Sequence, residues 1–226
     1  MIFIAKINML SDTFLDDATG KENYKFYSVL LKLNKYIKMK NQKVLIINGS
    51  PRKNGNCSCL IQTLAEGVNE NGGISEIINL QELKIAPCNA CDACRKNKTK
   101  SCIIEDDMIP LYSKVAQADA IVFASPTYWF NISAQTKLFI DRLYAVENEE
   151  VYALTGKKIG IILTYGDKDV FSSGGVNALR SFEDICTFVN ALLIGIVHAS
   201  ADKAGEIKNS PIKIQEAFEL GKKLCL

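Results

Sequence analysis

From Lys43 to the C-terminus, short aliphatic runs alternate with segments of helical periodicity. The first run lacks polar alternation, which favours a strand buried on both faces, whereas the run 74–80 alternates. The predicted strands are 44–47, 74–80, 120–124, 158–163 and 192–198. Apolar positions at 3.6-residue spacing predict helices over 60–68, 108–115, 138–144, 179–189 and 214–224. Five buried strands that alternate with five helices predict an α/β domain with a doubly wound parallel sheet and helices on both faces.

Two segments depart from this pattern. Residues 1–40 are predicted to be an N-terminal extension, a polar loop followed by an amphipathic helix over 24–40, with the domain itself covering 41–226. The alternative is that the natural start is Met39. Residues 81–104 have no periodicity, and so long a connection inside a compact domain is usually functional.

Three predicted loops follow the carboxyl ends of strands, at 48–58, 125–131 and 164–175. Doubly wound sheets bind ligands at this edge, where the strand order reverses. We therefore expect the three loops to build one ligand pocket.

The loop 48–58 has the composition of a phosphate site. It precedes a helix, whose first N–H groups have no partner inside the helix and carry partial positive charge. Ser50, Asn56 and Ser58 offer neutral donors, and Arg52 offers a planar fork. Neither G-x-x-x-x-G-K-[ST] nor G-x-G-x-x-G is present. The loop therefore favours a single phosphate monoester, as in flavin mononucleotide (FMN), over an ordinary strand-to-helix turn.

The stretch Gly49-Ser-Pro-Arg-Lys-Asn-Gly-Asn-Cys-Ser58 resembles the FMN phosphate loop of the NAD(P)H-dependent FMN reductases and iron–sulfur flavoproteins. The resemblance runs from about Lys43 to the C-terminus. It implies the flavodoxin-like fold, a five-stranded parallel sheet in the order 2-1-3-4-5. The FMN contacts that it implies in this loop are Ser50, Arg52, Asn54, Gly55, Asn56, Cys57 and Ser58.

The stretch Ser125-Pro-Thr-Tyr-Trp-Phe-Asn131 is similar to the second FMN loop of that family. A flavin ring needs flat apolar walls, which Tyr128 and Trp129 can supply, and polar groups at its edge. The alternative is that Trp129 only packs under the loop. The remaining contacts expected in the second and third loops are Pro126, Thr127, Asn131, Thr164, Tyr165 and Gly166.

Four of the eight cysteines lie within fifteen positions, at Cys88, Cys91, Cys94 and Cys102. Zinc sites more often use two separated C-x-x-C pairs, whereas three closely spaced cysteines plus one are typical of iron–sulfur ligation. The C-x₂-C-x₂-C-x₇-C spacing resembles that of the iron–sulfur flavoproteins, which implies one 4Fe–4S cluster. Zinc, or free or redox-active thiols without metal, stay open as alternatives. An aspartate after the cluster, Asp106 or Asp107, is predicted to cap the next helix.

Composition narrows the function classes. The 226 residues fit one domain with additions. With 27 basic and 25 acidic side chains the net charge is +2, which gives no electrostatic case for nucleic acid or an anionic membrane. No apolar run reaches the ~18 residues of a spanning helix, so a cytoplasmic location is expected. His198 is the only histidine, which argues against histidine-based catalytic triads and histidine-rich metal sites.

These observations and the resemblance predict an FMN-dependent NAD(P)H oxidoreductase that moves electrons between a nicotinamide, FMN and a 4Fe–4S cluster or a small acceptor. No catalytic side chain is expected, because the flavin carries the redox chemistry. The alternatives are an electron carrier without its own substrate and a cluster-free NAD(P)H:FMN or quinone reductase. The expected partners are NAD(P)H and a small-molecule or protein acceptor. The resemblance further implies a homodimer or homotetramer.

Overall fold

The computed structural model describes residues 41–96, 102–146 and 151–226, together with Ser28 and Leu31. The chain separates into two units, Met1–Lys38 and Met39–Leu226, and the description below concerns the second. The predicted loop and helix of residues 1–40 lie outside the described residues, apart from those two positions, and stay predictions.

Strands and helices alternate through the second unit much as the periodicity predicts. The strands are β1 (Lys43–Asn48), β2 (Ile74–Asn79), β3 (Ala120–Tyr128), β4 (Asn131–Ile132), β5 (Lys158–Tyr165) and β6 (Leu192–Ser200). The α-helices are α1 (Asn56–Glu70), α2 (Ala93–Lys96), α3 (Ile109–Gln117), α4 (Ala134–Arg142), α5 (Gly175–Phe188) and α6 (Pro211–Leu224). Short 3₁₀ turns occupy Leu80–Glu82, Leu143–Val146 and Glu206–Asn209.

The five long strands are parallel and lie in the order β2-β1-β3-β5-β6. This arrangement confirms the predicted doubly wound, flavodoxin-like sheet. The sheet has a sixth strand that was not predicted, because β4 is only two residues long and has no period to detect. It pairs antiparallel with the end of β3, Thr127 opposite Ile132 and Tyr128 opposite Asn131.

Each face of the sheet packs on its own helical layer. Successive side chains of a strand point to opposite faces, so Val44 and Ile46 enter one core while Leu45 and Ile47 enter the other. Helices α1 and α6 cover the first face, and α3, α4 and α5 cover the second. No helix in the described part of the chain is long and apolar enough to cross a membrane.

Candidate functional site

Loops from several strands meet at the carboxyl edge of the sheet. The N–H of Gly49 donates to the carbonyl of Ala124 at 2.8 Å, which joins the loop after β1 to β3. The hydroxyl of Ser133, which caps α4 as its sequence position suggests, donates to the carbonyl of Gly49 at 2.7 Å. Arg52 donates to a backbone carbonyl of the segment 201–207, after β6, at 3.0 Å. This segment is a fourth loop at the site that the sequence pattern did not indicate.

The start of α1 lacks a side-chain cap. Gly55 is its N-cap residue, with extended backbone and no side chain to cap the helix. The N–H groups of the first turn therefore point toward the loop with partial positive charge. Arg52 and Asn54 are exposed beside them. Backbone donors and one guanidinium form a donor set that suits a phosphate monoester.

The hydroxyls of Ser50 and Ser58 shape this loop from inside. The Oγ of Ser50 accepts the N–H of Arg52 at 3.3 Å, and the Oγ of Ser58 donates to the carbonyl of Arg52 at 3.3 Å. The side chain of Asn48 contacts both, as an acceptor for the N–H of Ser50 and a donor to the hydroxyl of Ser58. Both serines are buried. Their contact with a phosphate stays a prediction.

The side chain of Asn56 is used inside the protein. Its amide N–H groups donate to the carbonyls of Ala201 at 2.9 Å and Lys203 at 3.0 Å. Its Oδ1 accepts the N–H of Ile207 at 3.2 Å. The backbone N–H of Asn56, at the first position of α1, is therefore the group it offers to a ligand. Its side chain fixes the fourth loop against the first.

Cys57 links the first loop to β5. Its thiol lies 3.2 Å from the hydroxyl of Thr164, and both residues are buried. Burial raises the pKa of Cys57 to about 12, despite the hydrogen bond with Thr164. This thiol is accordingly neutral and serves as packing.

The second loop is a tight hairpin with two aromatic residues at its tip. Trp129 and Phe130 connect β3 to β4, with φ of +47° and +64°. Positive φ at both central residues is the requirement of a type I′ turn, where Asn-Gly is favoured and bulky side chains are strained. Trp129 is 94% exposed, and Phe130 packs against Gly174 in the third loop. Tyr128 is also exposed, so these aromatic side chains lie at the surface of the protein.

Thr127 carries a polar atom without a partner. Its Oγ1 is buried and has no hydrogen bond within the described part of the chain. The neighbouring Ser125 is satisfied, because it donates to the carbonyl of Pro126 and accepts the N–H of Ser133. Asn131 accepts the N–H of Ile132 through its own Oδ1. A buried hydroxyl without a partner is costly and marks a place where a ligand can supply one.

The third loop is tied to the sheet. The hydroxyl of Tyr165 lies 2.9 Å from Nδ1 of His198, and the two rings stack at 6.0 Å. Burial raises the pKa of Tyr165 and lowers that of His198, so both stay neutral near pH 7. The side chain of Asp202 lies close to Gly166. That Tyr165 covers a flavin ring stays a prediction, since its hydroxyl is engaged with His198.

The four clustered cysteines line one pocket, the cysteine pocket, with Arg142 at the end of α4 and Tyr144 in the 3₁₀ turn that follows. Two of the cysteines, Cys88 and Cys91, are exposed, and Cys94 and Cys102 are half-buried. None of the eight cysteines, all of which lie in the described residues, forms a disulfide.

In the described residues, no three His, Cys, Asp or Glu side chains lie close enough together to hold one metal ion. Four thiolates suit the ligation of iron–sulfur clusters and of zinc alike. A metal centre at Cys88, Cys91, Cys94 and Cys102 therefore stays a prediction.

A buried arginine supports the cysteine pocket, and the sequence pattern missed it. Arg142 is 1% exposed and forms a bidentate ion pair with Asp106, with Nη1 to Oδ2 at 2.6 Å and Nη2 to Oδ1 at 3.1 Å. This corrects the predicted cap, because α3 begins only at Ile109, after Met108, and no side chain caps it. Arg142 ends an amphipathic helix, where an arginine ordinarily lies on the solvent face. In the sequence, the one indication of this ion pair was the acidic pair Asp106-Asp107 after the cysteines.

Comparison with known proteins finds a matching family and similar proteins. The family described as NADPH-dependent FMN reductase matches residues 42–206. An iron–sulfur flavoprotein of Methanosarcina thermophila is 31% identical over 184 residues, which cover 81% of this chain and 93% of that protein. A Bacillus subtilis protein named as an NAD(P)H-dependent FMN-containing oxidoreductase is 26% identical, over 80% of this chain and 97% of its own length.

Solved structures support the fold. The NAD(P)H:quinone oxidoreductase of Methanothermobacter marburgensis superposes with a TM-score of 0.62 at 18% identity, covering 81% of this chain and 99% of that one. An FMN-dependent NADH-azoreductase of Bacillus anthracis, solved with FMN, gives 0.60 at 16% identity, over 82% of this chain and 100% of its own.

Proposed function

The chain belongs to the NADPH-dependent FMN reductase family, and we propose that this flavin oxidoreductase works as an iron–sulfur flavoprotein. In this proposal it passes electrons from NAD(P)H through FMN to a 4Fe–4S cluster held by Cys88, Cys91, Cys94 and Cys102, and on to a small or protein acceptor. The observation that carries the proposal is the pair of sites: an open helix start with flavin-type loops, and four thiols around one pocket.

FMN, when bound, supplies hydride chemistry with a nicotinamide and single-electron chemistry with an acceptor. The chain's own residues bind and orient it. The first turn of α1 and Arg52 hold the phosphate. The unpartnered Oγ1 of Thr127 offers a hydrogen bond to the polar edge of the ring. Tyr128 and Trp129 provide the flat surface that limits its access to water.

For the cysteine pocket, the support is the number and arrangement of thiols and the name of the Methanosarcina relative. Eight unpaired cysteines suit a reducing compartment, which supports a cytoplasmic location. Exposed Cys88 and Cys91 would leave a cluster open to water, which supports a homodimer or homotetramer that covers it. Light scattering on the purified chain tests the assembly, and a strict monomer would contradict it.

The test is anaerobic purification with FMN, iron and sulfide analysis. We expect about one FMN and, for one cubane, about four irons per chain, with broad absorption near 400 nm beneath the flavin bands. The variant Arg52→Ala/Ser58→Ala is expected to lose most FMN on dialysis while it keeps iron. The matched control is Arg180→Ala, which removes an exposed side chain of α5. Zinc at about one per chain, or no metal after anaerobic reconstitution, would favour the cluster-free reductase.

A further inference from the structure

The cysteine segment 81–104 has little regular structure, so something else must fix it. Its described residues contain only a 3₁₀ turn and the four-residue α2, and Ala90 and Asp92 have positive φ. Such a segment has few backbone hydrogen bonds of its own and would open easily. Among the described residues, the buried guanidinium of Arg142 reaches both of its ends.

Every N–H of this guanidinium has an acceptor. The group carries five N–H donors in a rigid fork. Its hydrogen bonds run from Nε to the hydroxyl of Tyr112 (3.2 Å), from Nη1 to the carbonyl of Ala86 (2.9 Å) and Asp106, and from Nη2 to Asp106, the carbonyl of Ile104 (3.4 Å) and Sγ of Cys102 (3.5 Å). Lysine, with three donors and no fork, cannot reproduce this set.

The contacts frame the cysteines on both sides. Ala86 lies two residues before Cys88, and Ile104 lies two residues after Cys102. Asp106 adds to the frame, because its carboxylate also accepts the N–H of Ala86 at 2.9 Å. This ion pair, together with the hydrogen bonds between Lys84 and Asp107, closes the loop that carries all four thiols.

The guanidinium of Arg142 also donates a hydrogen bond toward the cysteines. The carboxylate of Asp106 neutralises Arg142, yet Nη2 still donates to Cys102 Sγ. A thiolate-ligated cluster is anionic, and hydrogen bonds to its sulfurs raise its reduction potential. A neutral thiol that ligates no metal is stabilised much less by such a hydrogen-bond donor.

We propose that Arg142 is the positioning residue of the cysteine pocket: it fixes the cysteine segment for assembly of the cluster and stabilises the reduced cluster through Cys102. The roles toward the cluster rest on the proposed function, whereas the fixing of the cysteine segment does not. The rival explanation is that the ion pair stabilises only the fold.

The experiment compares Arg142→Gln and Arg142→Lys with wild type in the full-length, FMN-bound chain, with Arg180→Gln as the matched control from an exposed ion pair. Hydrogen exchange is measured by mass spectrometry before and after reconstitution with iron and sulfide. Before reconstitution, we expect exchange in 83–92 and 102–108 to rise on the order of tenfold in Arg142→Gln, as for loss of a buried charged hydrogen bond. Exchange in β1 and β3 should stay unchanged.

After reconstitution, iron per chain and the midpoint potential of the iron centre are measured. We expect Arg142→Gln to hold less than half of the wild-type iron and to show a lower potential. Arg142→Lys keeps the charge without the fork, so it should recover potential more than iron content. Arg180→Gln should match wild type in every readout.

Two results would overturn the proposal. One is wild-type exchange of the cysteine segment in Arg142→Gln. The other is faster exchange throughout the sheet in both Arg142 variants, which assigns the ion pair to the fold alone. If the wild-type chain takes up no iron, the exchange arm still decides the positioning role, and only the cluster fails.

Discussion

The two ends of helix α4 serve two different sites. At its start, Ser133 and Thr136 pack against Gly49 of the phosphate loop, where an added Cβ would meet Thr136 Oγ1 at 1.8 Å. At its end, Arg142 holds the cysteine pocket. The nine residues of α4 separate the two by about 14 Å at a rise of about 1.5 Å per residue. One helix thereby connects the loop after β1 to the cysteine pocket.

Different kinds of interaction stabilise the two sites. The phosphate loop uses neutral hydrogen bonds between short side chains and the backbone, many of them within ten residues along the chain. Beside the cysteine pocket, the described residues form a buried ion pair that joins positions 36 residues apart. A neutral buried group left without its hydrogen bond costs about 1–3 kcal/mol, whereas a buried ion pair that loses one partner leaves a charge unpaired and costs about 3–5 kcal/mol. Mutations should therefore affect the two ends unequally.

The largest effect is expected from Asp106→Ala. It leaves the buried guanidinium of Arg142 without a counter-charge, which costs about 3–5 kcal/mol in the free energy of unfolding. Urea denaturation of the FMN-bound chain measures it. Asp184→Ala, which breaks an ion pair whose side chains are both more than half exposed, is the control and should change stability little. A loss below about 1 kcal/mol in Asp106→Ala would show that water reaches the arginine.

The same variant should also change how the stability of the chain depends on pH in acid. Burial raises the pKa of Asp106, but Arg142 and the N–H groups of Ala86 and Met108 outweigh it and lower that pKa. The stabilisation is therefore complete above the ordinary Asp pKa of about 3.9 and is lost as the pH falls through the lower folded value. Asp106→Ala should flatten this part of the curve of stability against pH.

More of the phosphate loop than of the cysteine pocket could be predicted from the sequence, because the residues of the loop are contiguous. The phosphate loop is contiguous, so strand, turn and helix start could be read from 44–68, and so could the cap at Ser133. The cysteines were visible through their spacing. Arg142 was not, because its partners lie in three separate segments and its helix has ordinary amphipathic periodicity. The contact of Asn56 with the loop after β6 was missed in the same way, since it spans about 150 residues.

An intermediate effect is expected from Asn56→Asp at the flavin end. The exchange replaces two N–H donors by oxygen, so the carbonyls of Ala201 and Lys203 lose their partner and face a carboxylate. We expect a loss of about 1–3 kcal/mol and weaker FMN retention, because the fourth loop no longer fixes the first. Thermal unfolding and dialysis with flavin fluorescence measure the two.

The matched control for this variant is Asn71→Asp at the opposite end of α1. The amide of Asn71 also donates to a carbonyl, that of Lys222 at 3.0 Å, but far from the loops along the helix. Asn71→Asp should lower stability and keep FMN. Equal loss of FMN in both variants would mean that FMN retention follows only the overall stability of the chain. Asn56 would then have no specific role in fixing the phosphate loop.

The smallest effect, and the one of opposite sign, is expected at the hairpin tip. Trp129 and Phe130 hold positive φ, a conformation that Asn-Gly adopts with less strain. Trp129→Asn/Phe130→Gly should therefore stabilise the chain by about 1 kcal/mol, since relief of strain exceeds the lost contact of Phe130 with Gly174. The same change removes the exposed aromatic surface, so turnover with NAD(P)H and FMN affinity should fall. Trp129→Phe keeps the strain and the ring and should leave both near wild type. If the double variant is more stable with unchanged turnover, the strained aromatics have no role at the site, and the flavin end then differs from the cysteine end only in lacking a buried charge.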